Sequence, residues 1–391
     1  MTAPALLRPS VIPDPPLDLT AAFTELAARH VAPRTDQAYD AEVFDRLAWR
    51  RLTDAGLWQY GVPVEMGGRG GSWRDLADAV AGVARGSNDL GFTLSLIAHA
   101  GLVRALVQHG TVWHQRVILP ALLTGAVGAT ALTEPQGGSD VSRCTTIAVQ
   151  DEHGWRLTGT KTHITNAPVA DRALVLGRVP VLGRRDITLF LVNLRSPGVR
   201  RSVPEQLHGL CTSPTGALYL DEVALPPQAV LGTPGEGLTT LYDVISFDRA
   251  LYGLVAAAYL EPRLDTVVEF CRSREAFGTP ILDHQYVQGR ITDIRVAIET
   301  ARAVALAGID ALVAMDAQAS LLCSVAKLVG SEGLVESAQN LMRLQGHLGY
   351  MRGQATRDLR DALGTLIAGG TSEMQRKNIL NQMLTGTKRA G

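Results

Sequence analysis

The feature that most constrains this chain is a change of texture near residue 126 and its reversal near residue 235. From about Leu17 to Leu123, apolar residues recur at three- and four-residue spacing. Ala21-Phe23-Leu26-Ala27 and Phe44-Leu47-Ala48-Leu52 show it, and it is the period of a helix with one buried face. Between about Ala126 and Leu231 the apolar runs are short or alternating. Trp155-Arg156-Leu157-Thr158, Ala173-Leu174-Val175-Leu176, Ile187 to Val192 and Ala217-Leu218-Tyr219-Leu220 are separated by Gly, Pro and Asn, the punctuation of strands. Helical spacing returns from Gly235 to the end. Strands never alternate with helices, so a doubly wound parallel sheet is excluded. The expected class is α+β in the order α-β-α: an all-α unit over residues 1–125, a β unit over 126–234 and a helical unit over 235–391. The run Gly67-Gly68-Arg69-Gly70-Gly71 has no strand before it, fails the context test for dinucleotide binding, and is expected to be a helix-to-helix loop.

Composition narrows the function. The 391 residues are 46% hydrophobic, enough for cores in roughly two or three units. Lys plus Arg number 37 against 38 Asp plus Glu, and no long basic run occurs, so a nucleic-acid partner is not expected. The four cysteines Cys144, Cys211, Cys271 and Cys323 stand far apart, which argues against a disulfide framework or a zinc site and suits a reducing cytoplasm. The proline-rich first fifteen residues do not resemble a secretory signal, and no uninterrupted apolar run reaches membrane-spanning length. No His/Glu pair has metal-ligand spacing, so no metal is expected.

Several polar clusters carry the chemistry. Leu132 to Asp140 packs a hydroxyl, two carboxylates and adjacent glycines into one turn, and Gly159 to Asn166 follows closely. Either could be an ordinary loop. Together, at the head of a strand-rich region, they suit a flat, heteroatom-rich cofactor. Further on, Leu241, Val244, Ile245, Leu251, Val255 and Ala258 share one helical face with Asp248. Burial disfavours the charged form of such an acid and raises its pKa towards that of a useful base. On the residues alone, a structural aspartate paired with an arginine is the simpler reading. Gly369-Gly370-Thr371-Ser372 opens a helix, with a capping box expected between Ser372 and Gln375; the free amides there can receive a phosphate or a polarised carbonyl oxygen. Arg274 either caps a helix end or meets a pyrophosphate. His163 and His284 stand alone and are read as satisfied polar contacts.

In combination these clusters resemble the acyl-CoA dehydrogenase superfamily. Val62-Pro63 through Gly71, Leu132 to Asp140, Gly159 to Asn166, Arg274 to Ile281, Gly346 to Tyr350, Arg360-Asp361-Ala362 and Gly370-Thr371-Ser372-Glu373 fall in that family's order and spacing over nearly the whole chain. The resemblance implies a helical N-terminal domain, a β domain of two small packed sheets and a C-terminal four-helix bundle, assembled as a homotetramer or homodimer around FAD. By position, Leu132, Thr133, Gly138 and Ser139 would border the isoalloxazine and the substrate mouth. Ile164 and Thr165 would lie on the flavin, Thr165 reaching N5, with His163 in a place usually aromatic. Arg274, Phe277 and Gln285 would meet the adenosine diphosphate half of a neighbouring subunit's FAD. Arg343, Gly346 and His347 would complete that site, although Arg343 stands where Gln is usual and His347 where Gly is usual. Thr371 and Glu373 would hold the first subunit's cofactor.

The family often places a catalytic Glu directly before Gly-Thr-Ser, where this chain has Gly369. One subgroup instead carries its base on the long helix opening the C-terminal domain, just before an Arg, and Asp248-Arg249 stands there. The resemblance thus implies Asp248 as the base, with Ser139, Arg249 and Gly369 around the substrate. It implies removal of an α-proton from a saturated acyl thioester on coenzyme A or a carrier protein, hydride transfer to flavin N5, and a flavoprotein electron acceptor. Two other readings keep the fold: a flavin oxidase or monooxygenase using oxygen on a nitro, amino or aromatic compound, and a catalytically silent assembly subunit.

Overall fold

The computed structural model describes residues 18–387; the proline-rich stretch lies outside them. The N-terminal unit contains α1 (Leu19–His30), α2 (Ala32–Asp40), α3 (Arg46–Asp54), α4 (Trp73–Ser87), α5 (Leu90–His109) and α6 (Leu119–Leu123). Aspartates start three of them. The side chains of Asp18, Asp45 and Asp89 accept hydrogen bonds from first-turn amides that have no partner within the helix. The glycine run at residues 67–71 is indeed a loop between helical segments. Helix α5 is apolar on nearly every side and by length and mean hydropathy could cross a membrane; 89% of its apolar window is buried inside the fold, which marks a core helix. His99 and Arg104 interrupt the run that composition alone would count.

The β unit comprises β1 (Gly128–Ala131), β2 (Ile147–Asp151), β3 (Gly154–Thr165), β4 (Arg172–Arg178), β5 (Ile187–Asn193), β6 (Val199–Arg201), β7 (Thr215–Leu225) and β8 (Val230–Leu231). The order is β6-β7-β3-β2-β4-β5-β8, with β1 parallel to β4. The two sheets implied by the resemblance are joined: one parallel pair, Ile147 with Arg178, links their halves into a continuous eight-stranded ladder. Trp155 on β3 meets Phe190 on β5 with ring centroids 5.4 Å apart, so side chains of the two halves form a common core. The β3–β7 register shifts between Lys161 and Ile164, where His163 has φ +57°. That irregularity re-aims the end of β3.

The C-terminal unit is built on α7 (Gly237–Ser273), followed by a hairpin of β9 (Glu275–Ala276) and β10 (Thr279–Pro280), then α8 (Gln285–Val313), α9 (Ala319–Leu344), the short α10 (His347–Tyr350), α11 (Gln354–Thr365) and α12 (Ser372–Thr387). Phe277 and Gly278 form the hairpin turn with φ of +56° and +83°, both positive as a tight two-residue turn demands. Helix α7 is the spine: α4 and α5 pack on it from the N-terminal unit, α8 and α9 from the bundle. Its approach to α9 is very close. A Cβ on Gly330 would lie 2.5 Å from the Gly253 Cα, so only hydrogen fits at the crossing.

This crossing holds α7 against the bundle, and it gives a stability prediction. Gly330→Ala forces the helices apart and lowers unfolding stability by about 1–3 kcal/mol, the usual cost of overpacking a filled core. Urea denaturation of wild type and variant measures it, and equal midpoints would contradict the close crossing.

Candidate active site

A cavity of about 700 Å³ lies where the three units meet. Its walls come from α5, the loop after β1, the end of β3, the segment before β7, α7, and the turn between α11 and α12. Of the residues singled out from sequence, Leu132, Thr133, Gly138, Ser139, His163, Ile164, Thr165, Asp248, Arg249, Gly369 and Thr371 line it. Arg274, Phe277, Gln285, Arg343, Gly346, His347 and Glu373 do not; they are exposed on the surface of this chain.

The loop carrying Thr133 is fixed by a buried ion pair. Lys161 Nζ donates to Glu134 Oε1 at 2.7 Å and to the Leu132 carbonyl at 3.2 Å, with both side chains almost wholly buried. Glu134 also accepts from the backbone amides and hydroxyls of Thr145 and Thr146 at 2.6 to 3.0 Å. Burial alone would raise the Glu134 carboxyl, but Lys161 and the threonines outweigh it and hold the pKa at about 2. A charge so fully satisfied is tolerated where a bare one is not. The Thr133 carbonyl accepts from the Thr162 amide at 2.9 Å, docking the loop on β3. Across the cavity, Asp361 accepts from the Tyr39 hydroxyl at 3.1 Å and from the Leu210 amide at 2.6 Å, which pins the wall before β7. At the rim His163 Nδ1 lies 3.0 Å from Glu205 Oε2.

Asp248 differs from these acids. It lines the cavity and is partly exposed, while its Oδ1 is turned towards Gly101 and buried without a hydrogen-bond partner. Burial pushes its carboxyl up to about 8, and the positive charges of Arg104 and Arg249 offset only part of that rise. Neither arginine bonds to it. Arg104 is engaged bidentately with Asp243 at 2.9 and 3.0 Å, and Arg249 reaches Ser324 at 3.5 Å. The structural ion pair that was the simpler reading of this position is therefore absent. Opposite Asp248 stands Gly101 of α5, where a Cβ would collide with the carboxylate. The acid occupies the room that this glycine leaves.

The turn at 369 explains why the acid sits on α7. Gly369 has φ +69°, a conformation that side-chain-bearing residues rarely adopt. A Cβ there would also lie 2.5 Å from Cε2 of Tyr252. Tyr252 is four residues after Asp248, on the same face of α7, so one helix carries the acid and blocks a side chain on the turn. The amides of Gly369 and Gly370 make no hydrogen bond among the described residues. The capping box expected between Ser372 and Gln375 does not form. Thr371 accepts from the Met374 amide at 3.3 Å, and Gln375 Nε2 instead donates to the carbonyls of Gly369 and Gly370 at 3.3 and 3.0 Å. Helix α12 begins one hydroxyl earlier than anticipated, and Gln375 buttresses the turn.

Sequence reasoning missed Thr130, Tyr252 and Asn378, which line the cavity, and Gly101 behind it. Tyr252 carried a usable signal in its four-residue spacing from Asp248. The Thr130 hydroxyl and Asn378 Nδ2, on residues of the cavity lining, are buried without a partner.

Comparison with known proteins agrees with this architecture. The acyl-CoA dehydrogenase N-terminal, middle and C-terminal domain models match residues 17–126, 129–223 and 235–384. The L-prolyl-[peptidyl-carrier protein] dehydrogenase of Pseudomonas fluorescens is 30% identical over 348 residues, covering 87% of this chain and 90% of that protein. Human mitochondrial short-chain specific acyl-CoA dehydrogenase is 29% identical, covering 92% and 88%. Among solved structures, the prolyl acyl carrier protein oxidase AnaB superposes with a TM-score of 0.88 at 27% identity, covering 94% of this chain and 99% of that one. Butyryl-CoA dehydrogenase from Megasphaera elsdenii also gives 0.88, at 26% identity over 94% and 98%. The chain belongs to the acyl-CoA dehydrogenase family.

Proposed function

We propose that this protein introduces a double bond between the α and β carbons of a saturated acyl thioester, with FAD as its cofactor. Asp248 carries the reading: an acid with a raised pKa that lines the same cavity as Gly369 and Gly370, whose amides are unbonded among the described residues. The cavity suits FAD in its donor set. Thr133, Ser139 and Thr165 bring hydroxyls to the wall, and Thr130 and Asn378 hold buried polar atoms without partners. When bound, FAD supplies the acceptor for the β-hydrogen, which leaves as hydride.

The rest of the chemistry falls to the chain itself. Ionised Asp248 takes the α-proton, and the electron pair of that C–H bond becomes the new π bond. The Gly369 and Gly370 amides donate to the thioester carbonyl and stabilise the charge that develops on its oxygen. A backbone donor needs no side chain, so this role survives at a glycine. The thioester is presented on coenzyme A or on a carrier protein, both of which occur in the names of the relatives. Electrons leave to a separate flavoprotein.

Asp248→Asn tests the assignment. Mixed anaerobically with a saturated acyl thioester, wild type loses its flavin absorption band, whereas the variant keeps both FAD and the band. Only the carboxylate accepts a proton, so the wild-type rate climbs through pH about 8 and falls roughly tenfold per pH unit below it. Bleaching by the variant at the wild-type rate, or a flat profile, removes Asp248 from the reaction.

The remaining sequence-named residues point to a second copy of the chain. Phe277 is 98% exposed, Tyr286 90% and Tyr350 75%, and Arg274, Gln285, Arg343 and His347 surround them in sequence. Apolar side chains this open mark a covered surface in the working protein. We propose a homo-oligomer buried through this face. Light scattering gives a multiple of the chain mass for wild type and a smaller assembly for Phe277→Glu/Tyr286→Glu; a monomeric wild type contradicts it.

A further inference from the structure

Leu94, Ile97 and Tyr252 form part of the cavity wall, together with Asp248. The same three residues close a second pocket on the far side, which continues between α5, α7 and α9 past Leu90, Val255, Ala256 and Leu334. Its free space is only about 10 Å³, about the least that one ordered water occupies. From the acyl-thioester reading above, we infer that Tyr252 sets the length of the acyl group this enzyme accepts and closes the pocket to all but short chains.

The ring is well placed for this. It is 8% exposed, its edge packs on the Gly369 turn, and Lys327 Nζ lies 5.9 Å from its centroid. Lys327 is itself tied to the Thr365 carbonyl at 2.9 Å. The next residue, Gly253, is locked against α9, where a Cβ would lie 2.7 Å from the Ala326 carbonyl oxygen. Tyr252 therefore has little freedom to swing aside. It is the part of the wall that α7 provides, four residues from the acid, so the distance from the α-carbon to the barrier is fixed within one helix. Past it the lining is mostly Leu, Ile, Val and Ala, the surface that methylene groups prefer. Removing the ring joins the two spaces.

The test uses FAD-loaded enzyme with butyryl- and octanoyl-pantetheine, which are independent of the carrier. Anaerobic calorimetry reads binding, and flavin bleaching reads turnover. Wild type favours butyryl in both. Tyr252→Ala shifts the octanoyl-to-butyryl ratio by about tenfold or more, while Tyr252→Phe, which keeps the ring, leaves it unchanged. If Tyr252→Ala loses FAD, Tyr252→Leu replaces it and shifts the ratio in the same direction. A wild type that takes octanoyl as well as butyryl, or a truncated, FAD-loaded variant with the wild-type ratio, overturns the inference. Binding that follows the stated ratios without any bleaching supports the length limit and rejects the dehydrogenation reading instead.

Discussion

Two close approaches determine where chemistry can occur in this protein. Asp248 lies against a glycine of α5, and Tyr252, one turn later on α7, fills the space beside Gly369. The first leaves a carboxylate inside the fold with no hydrogen bond to one of its oxygens. The second keeps position 369, in the turn between α11 and α12, free of a side chain. Asp248 and the glycines of the 369 turn thus line one cavity from different elements. Helix α7 has to be held rigidly for this to hold, which is what its contacts with α5 on one side and with α9 at Gly253–Gly330 supply.

Such an acid weakens the fold. Its folded-state pKa of about 8 lies above the ordinary carboxylate value of 3.8, so the folded protein holds its proton more tightly than the unfolded chain does. Stability attributable to this group is full below the ordinary value and declines as pH rises through about 8. Glu134 is the opposite case. Lys161, Thr145 and Thr146 outweigh its burial and hold it at about 2, so its contribution is present through neutral pH and is lost only in acid. One acid is satisfied and fixes a loop, and the other is left unsatisfied on the cavity.

Much of this was legible from residue order. The strands around Leu157, Leu174, Leu189 and Leu218 follow from short apolar runs between turn residues, and the helices from their spacing. Asp248 stood out because an acid interrupts an apolar stripe. The pieces that stayed hidden join residues far apart in the chain. Lys161 and Glu134 are separated by the whole of β2, and Gly101 meets Asp248 across two domains. No local pattern could announce that Tyr252 would rest against Gly369. The cap at Thr371 was missed for a different reason: adjacent threonine and serine hydroxyls are equivalent as caps on paper, and Gln375 chose the loop carbonyls. The single Ile147–Arg178 pair that unites the sheet was beyond any periodicity argument.

The central claim is that position 248 holds a carboxyl with one unpartnered oxygen, its pKa raised by burial. Infrared difference spectroscopy of the carboxyl carbonyl stretch, wild type minus Asp248→Asn, measures it without any substrate. The account predicts one protonated carboxyl that loses its proton near pH 8 and is missing from the variant. A difference spectrum that titrates in the ordinary carboxylate range would contradict it.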